Sequence, residues 1–181
     1  MPKQVDPVAL VTELCLALPE VDNKPFGGHE APAFRVRDKI FVKINEDLGG
    51  FTCKAPPGVQ ETLVEAEPER FYVPAYVGRN GWIGVNFVDV DRDELAAIVE
   101  DSYRLTAPKK LIALQDVLGS MNDHANTLRY LAQVAPSPEL EERREDVERD
   151  LSRLRRKAER RWRRIRPRLR RKKLLAARRS P

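Results

Sequence analysis

Two cysteines, two histidines, two methionines and two tryptophans in 181 residues leave little material for metal or redox chemistry. Neither His29 nor His124 has a second histidine or a cysteine at ligand spacing, so no metal site is expected. Cys15 and Cys53 each sit in an apolar pattern, which predicts buried, reduced thiols. Long apolar runs are missing. None reaches the roughly 18 residues of a membrane span, and the opening MPKQVDP lacks an apolar signal core. The expectation is a soluble, cytoplasmic chain with no membrane partner. Catalytic signatures are missing too. Gly27-Gly28-His29-Glu30 is not followed by the Gly-Lys-Ser/Thr of a phosphate loop. There is no Gly-x-Ser-x-Gly elbow, and no serine has an evident general base. No catalytic residue, cofactor or enzymatic activity is expected.

One segment is more one-sided in charge than any other. From Leu151 to Pro181 there are 16 Lys or Arg and a single acid, Glu159. The net charge of +5 hides this asymmetry. Residues 1–108 hold 11 Lys/Arg and 18 Asp/Glu, a net of −7, whereas residues 109–181 hold 22 and 10, a net of +12. An acidic first part joined to a basic second part predicts two units, 1–108 and 109–181, the second with an acidic or polyanionic partner.

The basic stretch is also periodic. Val147, Leu151, Leu154, Ala158, Trp162, Ile165 and Leu169 are spaced three or four apart and share one face of a helix. Arg153, Arg156, Arg160, Arg163 and Arg164 fall on the opposite face, joined by Arg170 and Arg171 if the helix continues. Pro167 predicts a kink or break, because it lacks an N–H and clashes with the carbonyl of Arg163. Upstream, Leu111, Leu114, Leu118, Met121, Ala125, Leu128 and Ala132 form a heptad seam. Pro136-Ser137-Pro138 separates the two helices, with Ser137 as N-cap and Pro138 in the first turn. Two seamed helices on a short loop predict an antiparallel hairpin. Glu139–Arg143, Glu145–Arg149 and Glu159–Arg163 have the favourable i,i+4 order. Asn122, Asp123, His124 and Asn126 read as polar helix-surface or hairpin groups, with His124 able to hydrogen-bond an anion.

The first unit alternates differently. Asp6-Pro7 opens a helix that Val8, Val11, Leu14, Cys15 and Leu18 continue to about Pro19. Ala33 to Val36 and Lys39 to Asn45 read as strands across an Arg37-Asp38 turn, and Phe51 to Ala55 as a third after Leu48-Gly49-Gly50. Pro57 to Glu67 reads as a helix. Phe71 to Val77 and Gly81 to Val88 read as strands, and Asp91-x-x-Glu94 caps a helix from Arg92 to about Leu105. The order predicts an α+β fold with an antiparallel sheet, followed by an α-helical hairpin.

FRVRDKIFVKI, FTCKA, VPAYVGRNGWIGVNF and DELAAIVEDSYRLTAPKKL together resemble the MmcQ/YjbR family over Leu14 to Leu111. The resemblance implies a CyaY-like α+β fold and DNA binding. More basic members carry Lys, Arg and His before the tryptophan, where this chain reads VGRNGW with Arg79 as its only charge. Arg79, Asn80 and Trp82 are the candidate ligand contacts of this unit. Trp82 reads either as a stacking platform at a loop mouth or as a half-buried strand residue on the helix–sheet seam. LQDVLGSMND at Leu114 to Asp123 and the later LRRKAERRWRRIR resemble the C-terminal part of a CHAD domain. That resemblance implies binding of inorganic polyphosphate through a basic helix face.

The expectation is a non-catalytic polyanion-binding protein. Nucleic acid or polyphosphate would be held by Arg153, Arg156, Lys157, Arg160, Arg163, Arg164, Arg170 and Arg171, because guanidinium groups pair bidentately with phosphate. The alternative is an interaction module whose hairpins pair as a homodimer into a four-helix bundle.

Overall fold

A computed structural model describes residues 6–177 other than His29, Glu46, Leu48, Val90 and Pro136, and for residues 166–177 it gives the backbone path alone. The chain forms two compact units, residues 1–108 and 109–181.

The first unit is α+β. Helix α1 (Pro7–Leu16) starts where expected, with the Asp6 carboxylate accepting the Val8 N–H at 3.0 Å and Pro7 in the first turn. It buries Leu10, Val11 and Cys15. A six-stranded antiparallel sheet follows in the order β1-β2-β3-β4-β6-β5. Its strands are β1 (Val21–Asn23), β2 (Ala33–Val36), β3 (Lys39–Ile44), β4 (Gly50–Lys54), β5 (Phe71–Tyr72) and β6 (Trp82–Asn86). Strand β1 was not expected, because three residues, only one of them apolar, carry no alternation. Phe71 to Val77 is not one strand either. β5 ends at Tyr72, and Pro74 then helps turn the chain, its carbonyl accepting the Gly78 N–H at 2.9 Å. Arg37 and Asp38 both take positive φ, 53° and 66°, which is the geometry a two-residue hairpin needs. Helix α2 (Val59–Ala66) starts after Gly58.

Helix α3 (Arg92–Thr106) closes the unit against β3 and β4 and beside α1. Its N-cap Asp91 accepts the Glu94 N–H at 2.8 Å. Val11, Phe34, Phe41, Phe51, Val85 and Tyr103 are fully buried between these layers. Ser102 ties the layers together. Its hydroxyl donates to the Phe41 carbonyl at 2.6 Å and accepts the Lys54 N–H at 2.9 Å. Tyr103 meets Phe41 edge-on at 5.7 Å and donates to the Pro19 carbonyl at 3.0 Å. Burial pushes its phenol well above the usual range, so it stays a donor.

The second unit is a hairpin of α4 (Lys109–Leu131) and α5 (Pro138–Ala177). The Ser137 hydroxyl accepts the Leu140 N–H at 3.3 Å, the expected cap. Pro136 lies outside the described residues. α5 does not break at Pro167. The carbonyl that loses its donor belongs to Arg163, which is exposed, so water can satisfy it.

The apolar seam is rotated slightly from its expected position. On α4, Val117 is buried while Leu118 is 38% exposed. On α5, Val147, Leu151, Ala158 and Ile165 are buried, but Trp162 is 41% exposed. The inward position at that turn belongs to Arg161, whose Nη1 donates to the Ala113 carbonyl. The run 147, 151, 154, 158, 161, 165 alternates four and three, a stricter heptad than one that includes residue 162.

Candidate functional site

The face of α5 turned away from this seam is basic. At about 100° per residue, Arg153, Arg156, Lys157, Arg160, Arg163 and Arg164 share an arc of about 120°. All six are exposed. From Arg153 to Arg164 the helix rises about 16 Å at 1.5 Å per residue, so cations recur on each turn along a straight line.

Two of the six have local partners. Arg153 pairs with Asp150 at 3.1 Å and Arg163 with Glu159 at 3.8 Å. Both pairs are exposed, hence weak and readily exchanged for another anion. Among the described residues, Arg156, Lys157, Arg160 and Arg164 form no ion pair. Side chains of Arg170 and Arg171 lie outside the described residues. Of the expected i,i+4 pairs, Glu159–Arg163 forms. Arg149 takes Asp146 instead of Glu145, and that hydrogen bond and charge raise the Arg149 pKa. Arg144–Glu148, at 3.2 Å, is an additional pair.

Arg161 stands apart from the other described arginine side chains of the helix. Its charge is turned inward onto a backbone carbonyl of α4. Residue type offered no sign of this. The signal was in the phase, since residue 161, not 162, continues the four-three alternation. His124 is half-buried, and its Nδ1 lies 2.7 Å from the Ser120 carbonyl of its own helix. Asn122, Asp123 and Asn126 are exposed on the surface of α4.

In the first unit the structure brings Arg79, Asn80 and Trp82 to one place. Arg79 and Asn80 are exposed on a 3-10 turn, Gly78–Asn80, and Trp82 is half-buried at the start of β6, opposite Lys54. Gln60 of α2 braces the turn, its amide donating to the Gly78 carbonyl at 2.9 Å and to that of Trp82. A Cβ on Gly78 would sit 2.4 Å from the Val73 side chain, so a larger residue here would have to displace that side chain. Beside it stands a residue the sequence reading missed. Tyr76 is 92% exposed and holds φ at 67°, a strained value for a bulky side chain. Nothing in the residue order announces a left-handed tyrosine.

Among the described residues no group of three His, Cys, Asp or Glu could hold a metal, and His29 lies outside them. Cys15 and Cys53 are free and buried. Burial raises both thiol pKa values, that of Cys53 to about 12 with the charge of Asp101 adding to the effect. Among the described residues no helix is long and apolar enough to cross a membrane.

The family model described as YjbR matches residues 16–105, and the match does not extend into the helical hairpin. Among solved structures, the Deinococcus radiodurans protein DR2400, with family-model domain DUF419, is 20% identical with a TM-score of 0.48, covering 52% of this chain and 74% of that one. No curated protein matches.

Proposed function

We propose that the protein, whose N-terminal unit the YjbR family model matches over residues 16–105, is a non-catalytic polyanion-binding protein whose binding surface is the outer face of α5. That family match supports the non-catalytic role. One observation carries the ligand class: six exposed cations lie along one helical face, four of them without a carboxylate among the described residues, opposite a buried seam. A flat row of guanidinium groups at one-turn spacing suits the repeating phosphates of nucleic acid or inorganic polyphosphate. Among the described residues nothing identifies a base-reading element, so on this reading binding is electrostatic and indifferent to sequence. The CHAD-like sequence of this hairpin favours polyphosphate among the two, and the MmcQ/YjbR-like unit favours DNA.

The test is binding of a labelled DNA duplex, with long-chain polyphosphate as competitor, over a range of salt. A face about 16 Å long reaches four to six phosphates, so the log–log salt slope should be about −4 to −5. Changing Arg156, Arg160 and Arg163 together to Glu should abolish binding with helicity retained, because none of them lies on the seam. Trp82→Ala should change affinity far less. The reverse pattern would move the site to the first unit.

A further inference from the structure

The outer face of α5 is basic along only part of its length. Glu139, Glu142, Glu145 and Asp146 fall within the same 120° arc, about 100° per residue, as the six cations. All are exposed. From residue 139 to 150 the helix holds seven acids and three arginines, and from 151 to 165 eight cations and one acid. Ion pairs inside the helix neutralise chiefly its middle, through Asp146–Arg149, Arg144–Glu148 and Asp150–Arg153. Among the described residues, Glu139, Glu142 and Glu145 at one end form no ion pair, and neither do Arg156, Lys157, Arg160 and Arg164 at the other.

Such a face is complementary to itself under a two-fold axis. With the axis near Ser152, an antiparallel second α5 brings its Arg163 opposite Glu142 and its Arg160 opposite Glu145. A parallel copy would set like charges side by side. The seam offers a second copy little, since α4 already covers Val147, Leu151, Ala158 and Ile165. We infer that a second copy of the chain docks antiparallel along the outer face of α5, the acidic half of each helix covering the arginine half of the other. Self-association stands on this charge layout alone. It also makes a polyanion and the second copy rivals for the same cations, and that part rests on the function proposed above. Exposed pairs are individually weak and screened by salt, so the assembly should be strongly salt-dependent.

Sedimentation equilibrium of the full chain tests this at about 50 mM and about 500 mM salt, where the screening length falls roughly threefold. Two triple variants are compared, Glu139→Lys/Glu142→Lys/Glu145→Lys and Arg156→Glu/Arg160→Glu/Arg163→Glu, each checked for helicity by circular dichroism. The wild type should show twice the chain mass at low salt and the single-chain mass at high salt. Each variant alone should remain single. Their equimolar mixture should recover the doubled mass, because each now complements the other. Long-chain polyphosphate should return the wild type to single chains. A wild type that is single at low salt, a variant that pairs alone, or a mixture that stays single overturns the proposal. The first of these includes the case where acids of the chain's own first unit cover the face. If the mixture pairs but polyphosphate neither binds the wild type nor shifts its mass, self-association stands and the polyanion reading falls. If polyphosphate binds a wild type that never pairs, the reverse holds.

Discussion

Ser102 does more for the first unit than its size suggests. Its hydroxyl is buried and joins α3 to two adjacent strands, through the Phe41 carbonyl and the Lys54 N–H. Ser102→Ala leaves both groups without that partner, and stability should fall by about 1–3 kcal/mol in denaturant titration of the full chain. Gly84 is equally constrained. It pairs with Tyr72 in register, and a Cβ there would lie 2.1 Å from the Tyr72 ring, whose hydroxyl accepts from Asn45 at 3.1 Å. Gly84→Ala should cost about 1–3 kcal/mol in the same titration by displacing that ring. Both thiols are held protonated by burial, so a thiolate-trapping reagent at pH 8 should label neither Cys15 nor Cys53 until the chain unfolds. Caps were readable in the sequence and bridges were not. Asp6, Asp91 and Ser137 cap residues two or three positions away, so their role is written locally. The partners of Ser102 lie 48 and 61 residues upstream, and no local pattern marks it.

At the scale of the element, the hairpin helices were legible as amphipathic, but their rotation was not. Residue type assigned Trp162 to the seam because tryptophan is apolar. The four-three alternation gives that turn to Arg161, whose aliphatic stem can lie along the seam while its head group finds a carbonyl. This inverts an intuitive ranking of substitutions. Arg161→Ala removes a charged donor from a part-buried carbonyl and should destabilise the second unit by about 1.5–3 kcal/mol. Trp162→Ala, at a site 41% exposed, should cost less. Urea unfolding followed by helical ellipticity would rank the two. The sheet shows the same limit. β2, β3 and β4 alternate and were readable, whereas β1 and β5 have three and two residues and owe their strand geometry to their neighbours β2 and β6.

For the whole molecule, the change of charge between residues 1–108 and 109–181 is plain in the sequence. It implies that net charge says little about either unit's partners. The surface proposed for binding is a stripe on one helix, and one of that helix's arginines, Arg161, does not count toward it. On that proposal, the salt slope of binding should reflect the stripe and not the 22 Lys/Arg of the second unit.

The position of α3 has a consequence for how the first unit is made. Its long bonds reach back 48, 61 and 84 residues, to Lys54, Phe41 and Pro19. All the strands leave the ribosome before the helix that covers them. Until α3 has emerged as far as Tyr103, Phe41 has no aromatic ring of that helix beside it and the α3 side of the sheet is open to water. Folding of this unit should be an end-of-segment event rather than a progressive one, slow in proportion to its non-local contacts. Nascent chains stalled with residues 1–98 outside the ribosome should be cut rapidly by protease, and those with residues 1–108 outside should resist. Equal sensitivity at the two lengths would show that α3 is not the closing step.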